Sequence, residues 1–119
     1  MDGTPTHVRV FVVEDSALLR ERIVADILSL GTFDVVGVAD TEADAFAGIT
    51  KTCPEIVVTD LMLREGSGIG VVRRLRNYPD CPPLQIFVLS NYATAEYKRA
   101  ILMQMRSHFL FFATAMICL

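Results

Sequence analysis

Apolar residues recur along the chain with two alternating periodicities. Short runs rich in β-branched residues predict strands, and apolar residues spaced three or four positions apart predict amphipathic helices. The predicted strands are 8–13, 34–39, 55–60, 84–89 and 108–112. The predicted helices are 17–30, 41–50, 69–76 and 95–104. This alternation predicts an α/β fold with a parallel sheet and helices on both of its faces.

Residues with well-defined capping preferences mark the ends of the predicted helices. Ser16 is an N-cap residue for the first helix, and Gly31 ends it. Thr41 with Asp44 three residues later resembles a capping box at the start of the second helix. Thr94 caps the fourth helix. The chain carries no long-period repeat or low-complexity segment, so we expect one domain.

The strand 55–60 is the element around which the chain is organised. It is apolar, rich in β-branched residues and free of polar alternation, which is typical of a strand buried on both faces of a parallel sheet. It ends on Asp60. In open α/β sheets the chemistry lies beyond the carboxyl ends of the strands. We therefore expect a reactive group at Asp60.

Polar side chains also follow two other predicted strands. Glu14 and Asp15 follow the first strand, and Ser90 follows the fourth. In the flavodoxin-like order, 2-1-3-4-5, the first strand lies centrally and these side chains meet Asp60 at one edge of the sheet. Crowded carboxylates repel one another, and Mg²⁺ prefers oxygen ligands and bridges to phosphate. The pattern predicts a magnesium-assisted phosphoryl acceptor with Asp60 as the nucleophile.

Other interpretations of the same residues remain open. Each acidic strand end can instead cap a helix or face solvent. The run Gly66–Gly70 has some likeness to a dinucleotide-binding loop, but Val71 breaks the required glycine spacing. A phosphatase of the haloacid dehalogenase type needs a second aspartate two residues after Asp60, where this chain has Met62.

Composition narrows the class of protein further. The chain has 119 residues, of which 52% are hydrophobic, and this excludes a disordered protein. Its net charge of −3 provides no basic surface, so direct nucleic-acid binding is not expected. The longest nearly apolar run, 109–119, is too short to cross a bilayer. We expect a cytoplasmic protein that does not bind membranes.

The three cysteines follow no recognisable motif. Cys53, Cys81 and Cys118 lack CxxC spacing and are odd in number. This arrangement favours reduced, unpaired thiols over a disulfide framework or a zinc site.

These features together resemble the receiver domain of bacterial two-component response regulators. The likeness extends from residue 8 to about residue 100. The motifs that carry it are FVVED at 11–15, IVVTDLML at 56–63 followed by GSG at 66–68, and VLS at 88–90. The resemblance implies a flavodoxin-like fold with a five-stranded parallel sheet in the order 2-1-3-4-5.

The resemblance also implies a role for each site residue. Asp60 would accept a phosphoryl group from a sensor histidine kinase or a phosphotransfer protein. Glu14, Asp15, Asp60 and the backbone carbonyl of Met62 would hold Mg²⁺. Ser90 would form a hydrogen bond with a phosphoryl oxygen. The domain would not be an enzyme beyond catalysing its own aspartyl phosphorylation.

Two positions depart from the family pattern. The family has a lysine at the end of the fifth strand, where this chain has Phe112. Arg64 stands where the family often has proline, and it can in principle reach the acceptor as a substitute cation. The missing lysine keeps an alternative open, in which the chain is a pseudo-receiver that binds partners without being phosphorylated.

The C-terminal part differs from the rest in charge. From Ile101 onward the only Asp, Glu, Lys or Arg residue is Arg106. We expect a single receiver domain over 1–119, recognisable over 8–112, with an atypical tail at 113–119 in place of the fifth helix. A frameshift or a natural truncation would produce such a tail. We expect a homodimer or domain swap through the fourth helix, fifth strand and tail, the alternative being a monomer whose tail folds back.

Overall fold

The computed structural model describes residues 7–89, in which strands and helices alternate strictly. The strands are β1 (Val8–Val13), β2 (Phe33–Ala39), β3 (Ile56–Asp60) and β4 (Gln85–Leu89). The helices are α1 (Ala17–Ser29), α2 (Glu42–Thr52) and α3 (Gly68–Arg76). The helix predicted at 95–104, the strand predicted at 108–112 and the tail lie outside the described residues.

The four strands form one parallel sheet in the order β2-β1-β3-β4. This confirms the predicted order for these strands. β1 pairs with β3 from Val10–Ile56 to Val13–Thr59. Because β1 ends at Val13, opposite Thr59, Glu14 leaves the sheet next to Asp60, the last residue of β3.

Each described helix begins at a hydroxyl side chain that caps it. The hydroxyl oxygens of Ser16, Thr41 and Ser67 each accept a hydrogen bond from the backbone N–H three residues later, at 3.3, 3.2 and 2.9 Å. The predicted N-caps at Ser16 and Thr41 are confirmed. The third helix starts one residue earlier than predicted, because Ser67 caps it.

The main core lies between the sheet and the pair α2 and α3. Its buried members include Phe11, Val13, Ala45, Ile49, Val57, Val71, Val72, Leu75, Ile86 and Val88. The ring of Phe11 fills the space beside Gly37 and Gly48, where a Cβ would come within 2.5 Å of it. The absence of side chains at Gly37 and Gly48 leaves room for the Phe11 ring, and this allows α2 to pack close to the sheet.

The opposite face of the sheet is packed more loosely. Helix α1 has no buried residue. Between it and the sheet is an apolar cavity of about 180 Å³, lined by Val10, Ile27, Leu30, Phe33, Ile56, Val58 and Phe87. The expectation that strand 55–60 is buried on both faces holds fully only on the α2–α3 face of the described structure, where Val57 and Thr59 are buried.

Cys53 and Cys81 form a disulfide, with their Cα atoms 5.3 Å apart. The expectation of unpaired thiols is therefore wrong for this pair. The two cysteines are 28 positions apart, a spacing that matches no cysteine motif considered in the sequence. The fold brings the two residues together because α2 and α3 both end at the amino edge of the sheet, and each cysteine lies just beyond one of these helices. Cys118 lies outside the described residues.

Candidate metal centre

Three carboxylates from two neighbouring strands meet at the carboxyl edge of the sheet. Glu14 and Asp15 directly follow β1, and Asp60 is the last residue of β3. One oxygen from each of the three side chains lies within 4.8 Å of the others. The parallel pairing of β1 with β3 produces this cluster. The structure thus brings together three of the residues singled out in the sequence.

The Glu14 carboxylate is buried and only half satisfied. The residue is 1% exposed. Its Oε2 accepts a hydrogen bond from the Ser16 N–H at 2.9 Å, whereas Oε1 has no hydrogen-bond partner among the described residues. Leaving a buried carboxylate oxygen unpaired is costly. Arg20 holds this strand end in place, because its Nη1 donates to the Glu14 carbonyl at 2.8 Å.

The environment of the cluster opposes negative charge. Burial is the main reason that the pKa of Glu14 rises from 4.5 to about 7, and Asp15 and Asp60 raise it further while the Ser16 N–H opposes the shift. Burial also raises the pKa of Asp60, against the N–H groups of Met62 and Leu61, and the charge of Asp15 adds to the effect. A cation at this position would relieve both effects.

The donor set suits a hard divalent cation. All three side chains offer carboxylate oxygens, and one buried oxygen lacks a partner in the described structure. Mg²⁺ binds such oxygens and retains several waters, so it does not need a complete cage of protein ligands. The residues present at this edge of the sheet therefore fit Mg²⁺.

Of the other two predicted site residues, Met62 is within the described structure and Ser90 is not. Met62 lies beside the cluster, with its N–H 3.5 Å from Asp60 Oδ1 and its side chain exposed. This places its backbone next to Asp60. Ser90 directly follows β4, and it lies outside the described residues.

The β3–α3 loop, residues 61–67, closes on itself. The Gly68 N–H donates to the Leu61 carbonyl at 3.0 Å, and Met62 forms an isolated antiparallel bridge with Ser67. Gly66 has a φ of +87°, a conformation that favours glycine. The short loop therefore leads directly from Asp60 into α3.

Sequence reasoning missed the contacts between this loop and the start of α2. Glu42 Oε1 accepts from the Ser67 N–H at 3.1 Å, and Arg64 Nη2 pairs with Asp40 Oδ2 at 3.0 Å. The Arg64 guanidinium, considered as a substitute cation for the acceptor, is thus engaged by Asp40. The capping pattern at Thr41 suggested only local roles for nearby acidic residues, and no motif links positions 25 residues apart.

Comparisons with known proteins give a consistent picture. The model of the response regulator receiver domain family matches residues 10–111. The DNA-binding transcriptional activator DevR/DosR of Mycobacterium tuberculosis is 33% identical over 89 residues, covering 75% of this chain and 40% of the relative. A protein-glutamate methylesterase/protein-glutamine glutaminase of Anaeromyxobacter dehalogenans is 30% identical over 94 residues, covering 79% of this chain and 25% of the relative.

Solved structures resemble the fold as well. The signal receiver domain of the response regulator NarL from Mycobacterium tuberculosis superposes with a TM-score of 0.83 at 26% identity, over 96% of this chain and 86% of that chain. The likeness to this domain therefore covers almost the whole chain. By contrast, the chain spans well under half the length of the two curated relatives, at 40% and 25%. None of the helices within residues 7–89 is both long enough and apolar enough to cross a membrane.

Proposed function

Because the chain belongs to the family of response regulator receiver domains, we propose that it is a magnesium-dependent phosphoryl acceptor in a phosphorelay. Its flavodoxin-like receiver fold and its place in two-component signalling follow from that membership. The observation that supports the finer proposal is the meeting of Glu14, Asp15 and Asp60 at one sheet edge. The buried Glu14 oxygen that has no hydrogen-bond partner within the described structure is a donor atom that a cation could use.

In the proposed reaction a phosphoryl group moves from a nitrogen atom of the donor to an oxygen atom of this chain. A carboxylate oxygen of Asp60 attacks the phosphorus of a phosphohistidine, the new P–O bond forms as the P–N bond breaks, and the released imidazole takes up a proton. Glu14, Asp15, Asp60 and the Met62 carbonyl are the proposed metal ligands. Bound Mg²⁺ would neutralise charge on the phosphoryl oxygens. Ser90 is the proposed hydrogen-bond donor to one of those oxygens.

The proposed phosphoryl donor is a sensor histidine kinase or a phosphotransfer protein, the partners with which receiver domains interact as a family. The named relatives are a transcriptional activator and a methylesterase, so the response that this chain controls is not set by the receiver itself. We propose one receiver domain over 1–119. The homodimer or domain swap expected through 95–119 also remains a proposal, and it lies outside the described residues.

Phosphorylation by a small-molecule donor tests the proposal. The protein is incubated with acetyl phosphate, with Mg²⁺ or with a chelator, and its intact mass is measured. We expect the mass of one phosphoryl group to be added only when Mg²⁺ is present, and none to be added to Asp60→Asn. A folded wild-type protein that gains no mass, or gains it equally with chelator, would contradict the proposal.

A pseudo-receiver is the second candidate function. It is favoured by Phe112, which stands where the family has lysine; this position lies outside the described residues. An inert interaction module need not bind the metal, so Mg²⁺ titration by calorimetry separates the two functions. If the wild type fails to be phosphorylated and Phe112→Lys restores phosphorylation, the missing lysine is the cause.

A further inference from the structure

The segment 40–42, which leads from β2 into α2, holds the β3–α3 loop at two points, and we propose that Glu42 and the Asp40–Arg64 ion pair are positioning residues for the acceptor site. Neither point of attachment touches the carboxylate cluster in the described contacts. Both hold the segment that carries Met62. The proposal rests on the proposed function for its link to Mg²⁺, while the contacts themselves are independent of it.

Glu42 makes the more buried of the two attachments. Its Oε1 accepts from the Ser67 N–H at 3.1 Å, and its Oε2 accepts from Arg74 Nε at 2.9 Å. Its own N–H donates to the Glu65 carbonyl at 3.0 Å. The Glu42 side chain is only 19% exposed. The bond to Ser67 is partly buried, so water screens it less than a surface contact, whereas the bond to Arg74 of α3 is exposed.

The glycines of the loop make room for this carboxylate. A Cβ placed on Gly66 would overlap the Glu42 side chain, and a Cβ on Gly70 would overlap its carboxylate. The glycine-rich run at 66–70, which has some likeness to a nucleotide-binding loop, therefore has another physical explanation. It lets a glutamate from a different helix approach the loop backbone closely.

The ion pair provides a second attachment, at a residue four positions after Asp60 in the chain. Arg64 Nη2 lies 3.0 Å from Asp40 Oδ2, with the two side chains 62% and 36% exposed. Exposed pairs of this kind contribute little to stability. The pair matters for the position of the loop, because it connects the middle of the loop to the segment between β2 and α2.

These attachments connect to the acceptor through the loop backbone. Ser67, which Glu42 holds, forms the antiparallel bridge with Met62. The Met62 N–H in turn faces Asp60 Oδ1. Displacing Ser67 would therefore displace the backbone around the proposed metal ligand. The expected consequence is weaker Mg²⁺ binding, with little change in transfer once the metal is bound.

The test compares Glu42→Ala with Glu42→Gln, which keeps an oxygen able to accept from Ser67. The control is Lys51→Ala, at the far end of α2. Two properties are measured: amide hydrogen exchange of residues 61–67 without metal, and the Mg²⁺ dependence of phosphorylation by acetyl phosphate. Loss of one charge-assisted hydrogen bond corresponds to about a 10-fold effect on an equilibrium.

We expect Glu42→Ala to speed loop exchange about 10-fold and to raise the Mg²⁺ concentration for half-maximal rate about 10-fold. Its maximal rate at saturating Mg²⁺ should stay within about twofold. Glu42→Gln should restore most of both properties, and Lys51→Ala should match the wild type. Arg64→Ala, Asp40→Ala and the double variant should shift the Mg²⁺ midpoint by the same smaller amount, since either change breaks the same pair.

Unchanged loop exchange in both Glu42→Ala and Arg64→Ala would overturn the proposal. A lower maximal rate with an unchanged Mg²⁺ midpoint would also overturn it, by making Glu42 a residue of general stability. If the wild type gains no phosphoryl group at any Mg²⁺ concentration, the proposed function fails. Loop exchange then still decides whether these residues position the loop, and Arg64→Ala tests the second attachment if Glu42→Ala does not fold.

Discussion

The amino and carboxyl edges of the same sheet differ in how their polar groups are paired. At the amino edge they are paired. The Arg9 N–H donates to Glu55 Oε2 at 2.8 Å, the Glu55 N–H donates to the Arg9 carbonyl at 3.0 Å, and Arg9 Nη1 donates to the Cys53 carbonyl at 3.1 Å. The Cys53–Cys81 disulfide closes the same edge covalently.

At the carboxyl edge, like charges are crowded instead. Glu14, Asp15 and Asp60 lie together, and one Glu14 oxygen has no partner within the described part of the chain. Burial raises the pKa of both Glu14 and Asp60. Functional sites often retain such unfavourable electrostatics, because the ligand supplies the missing partner. The comparison shows that polar groups are paired at one edge and crowded at the other, which supports the proposal of a cation site at the carboxyl edge.

The largest expected effect comes from opening the disulfide at the amino edge. The bond joins cysteines 28 positions apart, and the segment between them contains all of β3 and α3. Chain-entropy arguments assign such a loop on the order of 3–4 kcal/mol of the free energy of unfolding. In thermal unfolding, Cys53→Ser/Cys81→Ser or a reductant should lower Tm by on the order of 10 °C.

Cys118→Ser is the matched control for this prediction, and its Tm should equal that of the wild type. Phosphorylation at saturating Mg²⁺ should survive in the double variant, because the disulfide lies at the opposite edge from Asp60. Equal Tm values with and without reductant would show that the bond does not stabilise the amino edge.

The next largest effect is expected in the pH dependence of the free energy of unfolding, which the carboxylates at the carboxyl edge influence. Folded Glu14 has a pKa of about 7 against an ordinary value of 4.5. Between these values the folded state holds a proton that the unfolded state has lost, so stability falls as pH rises through that window. The fall is at most about 3 kcal/mol, at 1.36 kcal/mol per pKa unit. Urea unfolding of the metal-free protein at several pH values measures it.

Glu14→Gln should reduce this slope, because the amide does not ionise, and the part due to the raised pKa of Asp60 should remain. Saturating Mg²⁺ should reduce the same slope in the wild type, since the cation offsets the cost of the buried charge. If Glu14→Gln keeps the full pH dependence, ionisation of buried Glu14 is not its cause.

The smallest effect is expected from the hydrogen bonds of Arg9. Arg9→Ala removes the bond from Nη1 to the Cys53 carbonyl, which is exposed to solvent. We expect a loss of about 1 kcal/mol in urea unfolding, because water replaces an exposed bond at little cost. The Mg²⁺ affinity should not change. An altered affinity would show that the two edges are coupled and would weaken the contrast between them.

Much of the fold could be predicted from local patterns. The β-branched runs predicted all four described strands, and the hydroxyl residues Ser16 and Thr41 marked where helices begin. Once a parallel sheet was predicted, the meeting of Glu14 and Asp60 followed, because strand ends in such a sheet share one edge. These inferences rely on side-chain periodicity and capping, which act over a few residues.

The contacts that join distant segments could not be predicted in this way. The bond from Ser67 to Glu42 and the pairing of Cys53 with Cys81 connect segments separated by 25 and 28 residues. Neither has a local signature, because glycines, glutamates and cysteines at these spacings are compatible with many arrangements. The looser packing of α1 was also not evident, since Ile23 and Ile27 have the spacing of a buried face but remain only half-buried.

The order and type of the described elements, and the residues at their carboxyl ends, could be inferred from the amino-acid sequence, because they depend on short-range periodicity and on the geometry common to parallel sheets. The long-range contacts made by those elements became known only from the folded structure. The contact of Glu42 with the β3–α3 loop, the Arg64–Asp40 pair and the disulfide each require a particular packing of α2 beside α3. That packing depends on side-chain shape across the core, which no local pattern encodes.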